Sequence, residues 1–267
     1  MADPTTTPRT HAIVDVDGLP VWYETAGDGD PIVLLHGGLA TNTTWNAQFD
    51  GFAPYRRVVA PERQAHGHTP DRDRPLSYQS MADETIGFLD AVDLGPADLV
   101  GWSDGGMVGL LVGAQRPDLV RNLVMTGAGF SSAGYVPGCP EELVALQPGD
   151  DDMVMFAALY AAASPDGPDH FPAVWEKVRA MWATPFDFSA EIDRLAAPVL
   201  VVLGDDDLVA AAHGDEVARR ARHGQLAVVP GTSHLVPMEK PDLYNRLVLD
   251  FTARPAVDTL MPWWRRT

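Results

Sequence analysis

The sequence predicts an α/β fold: a doubly wound, mostly parallel sheet of eight strands, interrupted late in the chain by a helical cap. Three observations predict it. Short, uninterrupted apolar runs such as Pro31-Ile32-Val33-Leu34-Leu35 and Pro198-Val199-Leu200-Val201-Val202-Leu203 suit strands covered on both faces. Helical patterns alternate with those runs, which implies crossover connections. Between residues 130 and 196 the strand pattern stops, and prolines and helix-like stretches take over.

In chain order, residues 1–10 are polar and read as a loose tail. His11 to Val16 and Leu19 to Thr25 read as two strands joined by the Asp17-Gly18 turn. The next strand, 31–35, ends in His36-Gly37-Gly38-Leu39. A helix is expected from Trp45 to Phe52, a strand over 57–60, and a loop over 61–69 that carries His66 and His68. Met81, Ile86, Leu89 and Val92 recur at near-helical spacing, so 78–92 reads as an amphipathic helix. Strands follow at 98–100 and 123–126, on either side of a buried helix starting near Met107. The cap shows helices near 151–163 and 171–183. The core resumes with the 198–203 strand, a helix over 213–222, a strand over 226–229 and a closing helix over 241–251. The expected division is 1–129 and 197–267 for the two parts of the core and 130–196 for the cap.

Length, charge and cysteine usage bound the function. The chain has 267 residues and a formal net charge of -18, which repels nucleic acid and anionic membranes. One cysteine, Cys139, rules out an internal disulfide and a cysteine-built metal cluster. No apolar run is long enough to span a bilayer, and the first residues lack a basic, apolar leader. A cytoplasmic enzyme without metal or organic cofactor, acting on a small molecule, is the expectation. Trp263-Trp264 near the end suggests docking on the same chain or on a second copy, a possible homodimer.

The chemistry centres on Gly101-Trp102-Ser103-Asp104-Gly105-Gly106, between a short apolar strand and an apolar helix. Gly-x-Ser-x-Gly in that context is a nucleophile elbow, a strained turn that lifts the serine hydroxyl clear of the sheet. A serine needs a general base, and the base needs an orienting carboxylate. The chain offers these in the order Ser103, Asp207, His234, each just past a strand end, where open parallel sheets place their sites. At the end of the 31–35 strand, the Gly38 N–H, with Leu39 as the alternative, reads as one oxyanion-hole donor, and the Asp104 N–H as the other. The Asp104 side chain suits a cationic substrate group, a helix cap or a loop contact. His36 reads first as a residue that holds the loop, and with Trp102, Trp182 and Leu208 it is a candidate substrate contact. Trp175, Met181, Phe186 and Phe188 are further apolar candidates for roofing a pocket or filling the cap's own core.

The elbow, the His36-Gly37-Gly38 strand end, the order of the three residues and the late Gly231-Thr232-Ser233-His234 loop resemble the α/β-hydrolase superfamily over nearly the whole chain. The resemblance implies that the acid closes Gly204-Asp205-Asp206-Asp207, which favours Asp207 over Asp205 and Asp206. It also implies that residues 130–196 are the variable cap. The function so implied is hydrolysis of a carboxylic ester or lactone through an acyl-enzyme. Amide, thioester or carbon–carbon hydrolysis, cofactor-free perhydrolysis, and a ligand-binding protein on the same fold are the alternatives.

Overall fold

The computed structural model describes residues 7–255 and 259–261. Its sheet has eight strands: β1 (Arg9–Val16), β2 (Leu19–Ala26), β3 (Pro31–Leu35), β4 (Arg57–Pro61), β5 (Ala97–Trp102), β6 (Val120–Thr126), β7 (Val199–Asp206) and β8 (Gly224–Ser233). Their spatial order is β1-β2-β4-β3-β5-β6-β7-β8. The β1–β2 and β2–β4 pairs are antiparallel and all others are parallel. From β3 the chain adds β4 on one side and β5 and the later strands on the other, so the switch point where such sheets open a crevice lies between β3 and β5.

Alternation along each strand divides the core. Val33, Leu35, Leu99, Leu123, Met125, Val201 and Leu203 belong to one buried cluster. Packed there are α2 (Tyr78–Ala91), α3 (Asp104–Gln115), α7 (Ser189–Arg194) and α8 (Ala211–Arg220), through Met81, Leu110, Ile192 and Val217. Ile32, Leu34, Val58, Val100, Val124, Leu200 and Val202 fill the opposite cluster. It is covered by α1 (Asn46–Phe52), the short α9 (Val236–Glu239) and α10 (Pro241–Ala253), through Phe49, Phe52, Val236, Tyr244 and Phe251. Period-two alternation with both faces covered explains why these strands read as continuous apolar runs.

Between β6 and β7 the chain forms α4 (Cys139–Ala145), α5 (Asp151–Ala163), α6 (Phe171–Trp182) and then α7. Helices α5 and α6 lie where the sequence pattern put them. α4 and α7 are short and were not legible: α4 fully buries none of its residues, and its apolar side faces a cavity rather than the core. The insertion is tied to the loop after β4 by Asp71, whose Oδ2 accepts from His170 Nε2 at 2.8 Å and Lys177 Nζ at 2.7 Å. The expected loose tail over 1–10 is corrected at its end. Arg9 and Thr10 belong to β1, and Arg9 holds Asn46 and Asp50 on α1. Trp263 and Trp264 lie outside the described residues.

At the end of the sheet opposite the strand C-termini, buried Asp98 accepts from Arg121 Nε at 2.9 Å and Asn122 Nδ2 at 2.7 Å, and also pairs with Arg56. It locks β5 to β6 and to the segment leading into β4. Removing it strands those donors, so Asp98→Ala is expected to cost about 3 kcal/mol of stability. Chemical denaturation of the two proteins measures it.

Candidate active site

Strand β5 hands over to α3 through one residue. Ser103 has φ 54 and ψ -124, a left-handed conformation that a residue with a side chain adopts only under constraint. The constraint is visible on both sides. A Cβ at Gly101 would lie 2.2 Å from the Gly105 carbonyl oxygen, and one at Gly105 would lie 2.0 Å from that of Leu35. The strand and helix therefore approach as closely as the sequence pattern requires. Asp104 opens α3, so its N–H has no intrahelical partner.

Asp207 and His234 come from the ends of β7 and β8. Asp207 Oδ1 lies 2.8 Å from His234 Nδ1, and the Asp207 side chain is fully buried. A carboxylate accepts, so Nδ1 carries the proton and Nε2 is left as a base. Asp207 is held in turn by the N–H groups of Gly204 at 3.1 Å and Val209 at 3.3 Å. The His234 carbonyl accepts from Trp102 Nε1 at 2.8 Å, which ties the histidine loop to the elbow. The neighbouring aspartates do other work. Asp205 accepts from Thr232 N–H, and Asp206 is exposed at the strand end.

The loop after β3 needs two corrections. His36 is not a substrate contact: it is fully buried and does not line the cavity at Ser103. Its Nδ1–H donates to the Gly37 carbonyl at 2.7 Å and its Nε2 accepts from Arg63 N–H at 3.2 Å, so the ring is consumed by backbone. The Leu39 N–H is not a free oxyanion donor either, because it is bonded to His66 Nε2 at 3.0 Å. Gly38 remains, on the cavity wall beside Ser103. It must be glycine there, since a Cβ would lie 2.5 Å from both Asp104 Oδ2 and the Trp182 ring. Burial, with help from the Arg63 charge, drives both histidines toward the neutral form. His66 falls to about 4 and His36 well below its ordinary value.

Ser103 and His234 face one cavity of about 200 Å³. Its wall is largely apolar and includes Trp102, Leu208, Trp182 and Phe186, with Leu143 and Leu146 following α4 inward. Trp175 and Met181 are buried in the core instead, and Phe188 packs behind Phe186. The wall also carries the Asp104 carboxylate. It accepts from Tyr78 OH at 3.0 Å and Trp182 Nε1 at 3.1 Å, and burial raises its pKa. Tyr78 and Tyr135, which also line the cavity, are site residues that sequence reasoning missed.

The model of the alpha/beta hydrolase family matches residues 32–247. The chain belongs to that family. Human serine hydrolase BPHL (Homo sapiens) is 28% identical over 263 residues, spanning 91% of this chain and 86% of that protein. The 2-hydroxymuconate semialdehyde hydrolase of Pseudomonas sp. (strain CF600) is 28% identical over 278 residues, 95% of this chain and 97% of its own. The solved enol-lactonase from Burkholderia xenovorans LB400 shares the fold with a TM-score of 0.70 at 22% identity. That match covers 91% of this chain and 100% of the other. Among the described residues of this hydrolase, no helix is long and apolar enough to cross a membrane and no group of three or more His, Cys, Asp or Glu could hold a metal ion.

The buried histidines make the hydrolase acid-sensitive. Both are neutral when folded and protonate near 6.5 when unfolded, so the unfolded state binds more protons as pH falls from about 6.5 toward 4. Stability is therefore full above about pH 6.5 and declines below it, by about 1.4 kcal/mol per pH unit for each histidine. Denaturant midpoints measured across that range should show the slope, and replacing His66 by glutamine should reduce it.

Proposed function

We propose that this α/β hydrolase cleaves a carboxylic ester or lactone of a small, largely apolar substrate through Ser103, His234 and Asp207. The observation that carries the reading is the Asp207–His234 hydrogen bond beside a strained Ser103, with serine and imidazole on the wall of one apolar cavity. In this reading His234 Nε2 takes the Ser103 proton and Oγ attacks the substrate carbonyl carbon. The N–H groups of Gly38 and Asp104 hold the tetrahedral oxyanion. The imidazolium returns its proton to the leaving alcohol, and an acyl-enzyme remains. Water, deprotonated by the same imidazole, releases the acid. The insertion between β6 and β7 acts as the cap, with Trp182 and Phe186 over the substrate.

Carbon–carbon hydrolysis on the same residues is the second reading. A 2-hydroxy-6-oxo-2,4-heptadienoate hydrolase of Pseudomonas putida, 29% identical over 259 residues, favours it. The cavity counts against a dienoate, because Asp104 places a carboxylate on a wall to which the described residues contribute no lysine or arginine. A neutral or cationic substrate suits that wall.

A fluorophosphonate probe tests the nucleophile. Labelling is expected at Ser103, and Ser103→Ala should abolish it while lowering ester turnover by about 10⁶-fold. Folded wild type that neither labels nor turns over nitrophenyl esters would sink the reading. A second experiment tests the wall. Asp104→Asn keeps the backbone donor and removes the charge, so kcat/KM should fall for esters bearing an ammonium group near the acyl carbon. It should rise for carboxylate-bearing ones, and steady-state kinetics on a matched pair reads the change.

A further inference from the structure

Two buried histidines flank the loop after β3, and the proposed chemistry uses neither ring. We infer that His66 is a positioning residue for the oxyanion hole, acting with His36 and Arg63 to leave the Gly38 N–H as the sole donor of that loop; the inference rests on the hydrolase reading.

The geometry runs through two consecutive peptide groups. In the first, the Gly37 carbonyl accepts from His36 Nδ1 at 2.7 Å and from Arg63 Nη2 at 3.3 Å. Arg63 Nη2 also holds the His36 carbonyl at 2.6 Å. In a trans peptide the C=O and N–H point to opposite sides, so pinning the Gly37 oxygen toward His36 and Arg63 turns the Gly38 N–H away from them. Gly38 lines the cavity that Ser103 lines. In the second peptide, the Leu39 N–H donates to His66 Nε2 at 3.0 Å. Leu39 has φ 57, a left-handed conformation in a residue with a branched side chain. The His66 bond is what that conformation gains.

His66 can accept only in one tautomer. Its Nδ1–H donates to the Gln64 carbonyl at 2.8 Å, which fixes the proton on Nδ1 and leaves Nε2 as the acceptor. His36 adopts the same tautomer for the same reason, and the two rings lie 4.9 Å apart. Burial, aided by the Arg63 guanidinium, disfavours the imidazolium that would turn either acceptor into a donor. Without an acceptor at residue 66, the Leu39 N–H is a buried donor with no partner. Leu39 then relaxes from its left-handed conformation, and the Gly38 N–H rotates with the shared backbone. Substrate binding would be little affected, because the misplaced group acts on the oxyanion, which forms only in the transition state.

The test compares His66→Gln with His66→Met. The two side chains have nearly the same shape, and only glutamine offers an acceptor oxygen. Circular dichroism first establishes that each is folded. In His66→Met, kcat on a nitrophenyl ester should fall by about 10²–10³-fold, the worth of one oxyanion donor, with KM nearly unchanged. His66→Gln should restore most of that loss. Equal loss in both variants, or wild-type turnover in both, overturns the assignment.

A measurement on the wild-type protein does not depend on either variant folding. A trifluoromethyl ketone forms a hemiketal with Ser103: the Oγ–carbon bond forms, the carbonyl electron pair moves to oxygen, and the serine proton goes to His234. In amide spectra of that adduct, the Gly38 proton should shift downfield while Leu39 stays put. A downfield shift at Leu39 instead overturns the inference alone. Wild type that forms no adduct and is not labelled at Ser103 sinks the hydrolase reading, and this inference with it.

Discussion

The turn at Ser103 has room for only one residue between the last carbonyl of β5 and the first turn of α3. Everything near it follows from that lack of space. The helix lies so close to β3 and β5 that positions 101 and 105 exclude any side chain. That closeness brings the first N–H groups of α3 to the loop after β3. It also leaves Ser103 with a backbone that relaxed polypeptide avoids. The strain is sustained by the surrounding core. Helix α3 is buried along almost its whole length, with Gly106 and Gly109 set close against the sheet and Met107, Val108, Leu110 and Leu111 in the surrounding core.

The polar groups around the turn are arranged in depth. Behind the cavity wall, His36, Arg63 and His66 hold backbone atoms, so the loop after β3 is fixed by side chains drawn largely from the loop after β4. On the other side, Trp102 ties the elbow to the His234 carbonyl, and Gly204 and Val209 hold Asp207. Asp104 belongs to both regions. Its backbone opens α3, while its carboxylate joins Tyr78 on α2 to Trp182 at the end of α6. The helical insertion and the sheet thus meet at a charged group one residue from the serine.

Much of this was legible in the chain because the signals are local. The strands read as apolar runs, and the elbow needs only five adjacent residues. What was not legible depends on register or on distant partners. Three aspartates follow Gly204, and only the family resemblance, not the composition, favoured Asp207 among them. The structure ranks them by strand length. β7 continues through Asp206, which pairs with Ser233, so Asp205 turns to Thr232 and Asp207 leaves the strand beside His234. Tyr78 is a first-turn helix residue, capped by Ser77, with nothing nearby to announce its bond to Asp104. Trp175 and Trp182 sit two turns apart on α6 and look equivalent in sequence. Only the second, at the end of the helix, reaches the cavity. The fate of His36 and Leu39 was hidden for the same reason, since their partners lie 27 residues away.

The cavity's size and lining also govern what happens to solvent. A space of about 200 Å³ is large enough to hold several water molecules. Most of its wall offers water no hydrogen bond, and the Asp104 carboxylate is already engaged by Tyr78 and Trp182. Solvent there is poorly coordinated and easily expelled. A ligand that fills the space should therefore bind with a negative heat-capacity change, its affinity for the apolar portion coming chiefly from displaced water. The few directed contacts near Ser103 are left to decide orientation.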